Sequence, residues 1–322
     1  MSDLPIYILR FRAEVTAPLR LPPAAGAALR GALFAALRRH FCLAHAGHDC
    51  GRPPLATACP VCFLLAPVEE GHRRGRDVPR PYVLRGPAGE QRSYEPTQPF
   101  EFELLTFGRA LSHFPYALLG LQEMGEHGLG VGRGGTFRLR EVWSEHPIAG
   151  RQERTYRAEE RTVRTPTLAV QRSDVLTQAC RLAEHGASHR LQIVLCTPTR
   201  LVDGGRLVKP ETFGFRAFAG RLLERLDALF QRYGAGELDV DISSLLAEAQ
   251  TIRVMTHRLH WQELFRASAR HRRLVPMGGL VGTVTVEGDL RPFLPWLVWG
   301  TLTHVGKDAA MGNGRYELYT ER

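Results

Sequence analysis

His304-Val305-Gly306-Lys307-Asp308-Ala309-Ala310-Met311-Gly312-Asn313-Gly314-Arg315-Tyr316-Glu317-Leu318 is the stretch on which the reading of the fold turns. An apolar, helix-like run from Phe293 to Leu302 leads into it, and a short apolar strand leaves it. Gly306, Gly312 and Gly314 give the backbone access to positive φ and let amides approach a ligand with no Cβ in the way. Lys307 and Arg315 place a cation at each end of the loop. A concave run of amides flanked by two cations suits a phosphate backbone. The plain alternative is a tight helix-to-strand turn capped by glycines.

The pattern occurs twice. Laid over the earlier chain in a single register, Pro295, Trp296, Gly300, Gly312 and Gly314 fall on Pro115, Tyr116, Gly120, Gly132 and Gly134. The earlier copy runs through Gly130-Val-Gly-Arg133-Gly134-Gly135 into a strand-like Phe137 to Val142. Self-similarity at one long period marks two copies of a single supersecondary unit. Each copy is a helix, a glycine-rich loop and a closing strand.

At 322 residues the chain can hold two domains with cores of their own. A net charge of +9 and a pI near 9.6 favour a polyanionic partner. Lys209 and Lys307 are the only lysines, so the positive charge is almost all arginine, which suits bidentate phosphate contacts. No apolar run approaches about 18 residues and no charged-then-apolar leader is visible. The expectation is a cytoplasmic protein with no membrane partner. Four of the six cysteines, Cys42, Cys50, Cys59 and Cys62, lie close together in sequence. Cys59-x2-Cys62 is the knuckle that sets two thiolates on one tetrahedral metal. His45 or His48 could stand in for Cys42 or Cys50. A structural zinc is expected here; four thiolates would close its shell, so a catalytic metal is not expected.

In chain order, Leu4 to Val15 reads as a strand and Ala24 to Phe41 as a helix with Leu29, Leu33, Leu37 and Phe41 on one face. That helix ends Arg38-Arg39-His40, and a histidine in a last turn faces the negative pole of the helix, a setting suited to a proton donor; the bland reading is a solvated helix end. Tyr82 to Leu84 and Gln98 to Phe107 read as a hairpin. Ser144 to Arg164 is polar, with arginines interleaved with glutamates, and reads as a linker or exposed segment. Ser173 to Glu184 reads as a short helix. His189 to Cys196 is a strand, and Phe213 to Tyr233 is a helix closed by Gly234. A strand starts at Gly279, its partner lies between Thr251 and Trp261, and Arg266-x3-Arg270-His271-Arg272-Arg273 is a dense basic run between them. Both halves follow β-α-β-β-α-β order. The fold class is therefore α+β: two tandem ferredoxin-like (RRM-like) domains with glycine-rich loops. The N-terminal domain spans 1–145 with the cysteine cluster inserted at 42–62, a linker or extension spans 146–188, and the C-terminal domain spans 189–322.

Two such units resemble the repeat-associated (RAMP) proteins of CRISPR systems, and the C-terminal third is most similar to CRISPR precursor-RNA processing endoribonucleases. The residues that carry this are Leu195-Cys-Thr-Pro-Thr-Arg-Leu201, Gly278-Gly-Leu-Val-Gly282, Glu287-Gly-Asp-Leu290, His304 to Lys307, and Gly312 to Leu318, with Leu29-Arg-Gly-Ala32 and the cysteines in the other half. The chain departs from the family pattern at Asp308-Ala309-Ala310, which sets a carboxylate beside Lys307. The resemblance implies one cut per repeat of a CRISPR transcript, without a catalytic metal, by attack of a ribose 2′-OH on the adjacent phosphate. The products are a 2′,3′-cyclic phosphate and a 5′-OH. It implies His40 as the base, with Arg38 or Arg39 against the developing charge. RNA would be held by Arg133, Gly134, Arg270, Arg272, Arg273, Gly306, Lys307, Gly312, Gly314 and Arg315. No aromatic signature of a sheet-surface reader is present, which favours a groove or hairpin-shape mode. The rival within the family is a non-catalytic subunit that binds the guide-RNA handle beside other CRISPR effector subunits, in a prokaryotic cytoplasm. A zinc-stabilised DNA-binding regulator would need a helix-turn-helix or a dimer seam, and neither is visible.

Overall fold

Alternating apolar residues build the first strand, β1 (Ile6–Ala17), in which Leu9, Phe11, Ala13 and Val15 are buried and Arg10, Arg12 and Glu14 take the other face. It belongs to a computed structural model that describes residues 3–42, 59–65, 67, 78–87, 89, 91–160, 162–268 and 273–320. The chain divides into two units, Tyr7–Ala169 and Met1–Ile6 with Val170–Arg322.

In the first unit, α1 (Ala25–Phe41) follows β1, then β2 (Tyr82–Arg85), β3 (Pro99–Phe107), α2 (Phe114–His127) and β4 (Thr136–His146). The sheet order is β2-β3-β1-β4, extended by β5 (Arg151–Arg157) and β6 (Thr162–Val163) beyond β4. Leu29, Leu33 and Leu37 of α1 are buried, each contributing about 2 kcal/mol by removal from water. The two helices approach closely at Gly120. A Cβ there would lie 2.7 Å from Leu37 Cδ2 and 2.9 Å from Leu33 Cδ1.

The segment expected as a linker is partly sheet. Arg151–Arg157 pairs antiparallel with β4, Glu141 opposite Arg157 and Ser144 opposite Glu153. Only Thr155 of the strand is buried, so no hydropathy period marked it. Charge holds it instead: Arg154 lies 3.6 Å from Glu141 and 2.9 Å from Glu160. The Glu153 carboxylate accepts from Thr167 Oγ1 at 2.8 Å and Leu168 N at 3.0 Å. Partial burial would raise its pKa, but these hydrogen bonds outweigh it and hold the carboxyl below its ordinary value. The remainder of the expected linker carries a helix, Arg172–Leu182, within the second unit.

The second unit repeats the order: β7 (Arg190–Thr199), α3 (Phe215–Tyr233), β8 (Arg253–Gln262), β9 (Gly279–Glu287), α4 (Leu294–Thr303) and β10 (Tyr316–Tyr319), with sheet order β8-β9-β7-β10 and every neighbouring pair antiparallel. Phe215, Phe218, Leu222, Leu226, Leu229 and Phe230 of α3 are buried, and Trp299 of α4 meets the edge of Phe230 at 5.5 Å.

The two glycine-rich loops share one contact. Gly306, at φ +80°, sits under the carbonyl of Arg200, where a Cβ would lie 2.6 Å from the oxygen; Gly130, at φ +88°, sits under the carbonyl of Arg20. Arg20 and Arg200 occupy equivalent places in the register of the sequence repeat, each after the first strand of its unit. Only glycine tolerates that conformation and that approach together. Gly306→Ala should therefore lower unfolding stability by about 2–4 kcal/mol, the sum of left-handed strain and overpacking, as read by urea denaturation without RNA. A stability equal to the parent protein's would refute the structural assignment.

Candidate functional site

A helix that ends in solvent offers its last turn to a ligand, and α1 ends that way, with Arg38, Arg39 and His40 all exposed. Because Gly120 lets α2 close onto α1, the outer face of α2 comes beside that turn. Glu123 Oε2 lies 2.8 Å from His40 Nε2 and 3.2 Å from His127 Nδ1. Neither contact has hydrogen-bond geometry, and each becomes an ion pair only when its imidazole carries a proton. His127 Nδ1 also meets the Glu123 carbonyl oxygen at 3.0 Å, and the two imidazole centroids are 6.3 Å apart. Phe41 turns from the same end onto the edge of Tyr116, 5.3 Å away.

His40 and Glu123 border a groove of about 820 Å³ within the first unit. Phe41, Gln122, Arg138 and Tyr156 also line it. Gln122 Nε2 donates to the Tyr156 hydroxyl at 2.8 Å, tying α2 to β5 across the groove. Sequence reasoning singled out His40; Glu123, His127 and Tyr156, which the structure brings beside it, were not named. The signal available was the helical spacing of Glu123 and His127, which puts them on one face.

The second glycine-rich loop is wired to its own unit. The Lys307 amide donates to the Arg200 carbonyl (3.0 Å), Gly314 to Pro198 (3.1 Å), Gly312 to Ala309 (3.0 Å) and Arg315 to Thr197 Oγ1 (2.9 Å). Those amides are committed, so the expected anion cradle of free N–H groups is not formed by them. His304 is fully buried and its Nδ1 meets the Asn313 carbonyl at 2.9 Å, while Asn313 Nδ2 donates to Met277 O. Lys307 is exposed; Arg315 is half-buried and bonds Glu317 at 2.8 Å. In the earlier loop Arg133 closes a short turn, Val131–Arg133, and Gly134 is exposed. Arg273 opens the strand Arg273–Pro276, exposed, whereas Arg270 and Arg272 lie outside the described residues. The structure thus keeps His40, Arg38 and Arg39 in one unit and Arg273, Lys307 and Arg315 in the other.

Of the cysteines, Cys59 and Cys62 are buried at the start of the helix Pro60–Leu65. The Cys59 thiol donates to the Phe41 carbonyl at 3.9 Å, which brings the knuckle beside Cys42. Cys50, His45 and His48 lie outside the described residues, and among the described residues no three metal-donor side chains are grouped tightly enough to hold an ion. Among the described residues no helix is long and apolar enough to cross a membrane.

Two family models match the chain. One, described as CRISPR-associated endoribonuclease Cas6, covers residues 193–316, and one described as an N-terminal domain (AF_1859_N) covers residues 4–168. No curated protein matches. Among solved structures the chain is similar, over 99% of its length, to a partial Cas6-RT-Cas1–Cas2 complex, with TM-score 0.60 and 13% identity, and spans 46% of that longer chain. It is similar over 98% of its length to a Cas6 product complex (TM-score 0.54, 17% identity) and over 99% to Thermus thermophilus Cas6 (TM-score 0.52, 16% identity), covering 99% of each. The likeness is one of fold, a mixed helix-and-sheet Cas6-like architecture.

Beside the cysteine knuckle, Phe63 stacks on His113 at 4.1 Å and 6°. Burial pushes the His113 pKa below its ordinary value. The folded state therefore resists a proton that the unfolded chain accepts, and stability falls as pH drops through the unfolded value, about 6.5. His113→Phe keeps the stack and removes the titration, so its melting temperature should decline less than the parent's between neutral pH and about pH 5. Parallel declines would rule out this contribution.

Proposed function

We propose that the chain, whose residues 193–316 match the Cas6 endoribonuclease model, is a Cas6-type enzyme that cuts CRISPR repeat RNA in precursor transcripts by metal-independent attack of a 2′-OH on the adjacent phosphate. The carrying observation is His40, exposed at the end of α1 on the rim of a groove large enough for nucleotides. His40 takes the 2′-OH proton, Arg38 and Arg39 stand where phosphorane charge develops, and the groove holds the nucleotide splayed for in-line attack. The products are a 2′,3′-cyclic phosphate and a 5′-OH end.

On this reading each unit is a ferredoxin-like βαββαβ domain, in tandem, with the cysteines inserted in the first. Arg133, Arg270, Arg272, Arg273, Lys307 and Arg315 supply phosphate contacts, with affinity that falls steeply with salt. Gly134, Gly306, Gly312 and Gly314 shape the loops that carry them. The partners are repeat RNA and, by analogy with the complex containing Cas1 and Cas2, other CRISPR proteins in a prokaryotic cytoplasm. Cys42, Cys50, Cys59 and Cys62 hold a structural zinc, and metal analysis of protein prepared under reducing conditions should find about one zinc per chain. Its absence would remove the zinc from this account.

Incubation with the repeat RNA encoded alongside the protein, in excess EDTA, should give one cut with a cyclic phosphate end. His40→Ala should slow that cut by about 10²- to 10⁴-fold with RNA affinity retained. Cleavage surviving the substitution would move the chemistry elsewhere in the protein. Tight binding without any cut would make it a crRNA-holding subunit instead.

A further inference from the structure

Cleavage by 2′-OH attack moves two protons, and His40 accounts for one. The 5′-oxygen leaves as an alkoxide unless an acid meets it. A second group must therefore stand opposite the base, across the phosphate. Base and acid must each reach an apical oxygen at about 3 Å, so their reactive nitrogens stand several ångströms apart, one toward each apex.

Among the described residues, His127 meets that condition. The ring of His127 lies 6.3 Å from that of His40, tilted 59° to it, and both contact the same carboxylate oxygen of Glu123. His127 is half-exposed, in the last turn of α2. Its Nδ1 is engaged by the Glu123 carbonyl and carboxylate, which leaves Nε2 to face a substrate. His40 presents Nε2 to the same carboxylate, which leaves its Nδ1. The Glu123 carboxylate thus lies against Nε2 of one ring and Nδ1 of the other, with the remaining nitrogen of each ring left to a substrate. Arg38 and Arg39, both exposed, precede His40 at the end of α1, and Glu126 lines the groove.

Resting on the reading of the chain as a metal-independent ribonuclease, we propose that His127 delivers the second proton of the cleavage and that Glu123 is the positioning residue of a His40–Glu123–His127 unit. The 2′-oxygen bonds to phosphorus as its proton passes to Nδ1 of neutral His40. The bond from phosphorus to the 5′-oxygen breaks, and that oxygen takes its electron pair and a proton from Nε2 of protonated His127. The two imidazoles finish with exchanged protonation states, which solvent resets.

A repeat RNA whose scissile 5′-oxygen is replaced by sulfur separates the roles, because a thiolate leaves without an acid. In single-turnover cleavage of ordinary repeat RNA, His127→Ala should be slower by about 10²- to 10⁴-fold, with Kd for the RNA and melting temperature unchanged. On the sulfur-substituted RNA it should cleave at nearly the parent rate, while His40→Ala stays slow on both. Glu123→Gln should lower the rate constant alone and add nothing to His40→Ala. His127→Gln serves if the alanine variant does not fold. Undiminished cleavage of ordinary RNA by the His127 variants, equal losses on both RNAs, or rescue of His40→Ala instead would overturn the assignment. Failure of the parent protein to cut either RNA would strike the endoribonuclease reading itself.

Discussion

The closure of Leu33 and Leu37 onto the bare backbone at Gly120 is the contact on which the candidate site depends. A side chain there would push α2 off α1, and His40 would lose its carboxylate neighbour, because Glu123 lies one turn beyond the contact. Packing in the core thus sets a distance at the surface. The same closure keeps α2 against β4, where Gly125 meets Phe137 backbone to side chain. The groove is the space left between that helix end and the strands β4 and β5, so its width follows from two glycines and two leucines as much as from its own lining.

Net charge overstates how much cation is available for RNA. On the open face of the first sheet, Arg10 contacts Glu103 and Glu145, Arg12 contacts Glu101, Arg140 contacts Glu14, and Arg154 contacts Glu141 and Glu160. Trp143 lies under the guanidinium groups of Arg12 and Arg154. Each such exposed pair stabilises by well under about 1 kcal/mol, yet together they hold the strands in register and neutralise one another. The face is laddered, so little of its arginine charge is left over for a polyanionic partner.

Most elements were legible because their apolar residues keep a period. The strand from Leu4, the helices ending at Phe41 and Tyr233, and the hairpin at Tyr82 and Gln98 all stand within a few residues of the sequence reading. Arg151–Arg157 was not legible, since a polar edge strand is held by backbone pairing and arginine–glutamate contacts that leave no hydropathy trace. His40 was readable from its place at a helix end. Glu123 and His127 were not, because they join it only through a crossing that Gly120 permits. The loop glycines were read as openings toward a phosphate; Gly306 instead admits the Arg200 carbonyl, and the amides around it bond within the unit.

The two units part ways at the end of the helix that follows the first strand. Both units place a helix after the first strand and tuck a loop glycine beneath the arginine carbonyl that follows that strand. The helix in the second unit ends differently: Tyr233 is buried, and Gly234 turns the chain so that the Gly234 amide returns to Phe230. A helix end sealed against its core cannot offer a proton-transfer group to a ligand. In the first unit the helix runs on to Arg38, Arg39 and His40 in solvent. Of the two corresponding helix ends, packing closes one, and the one left open is where two histidines and a carboxylate meet.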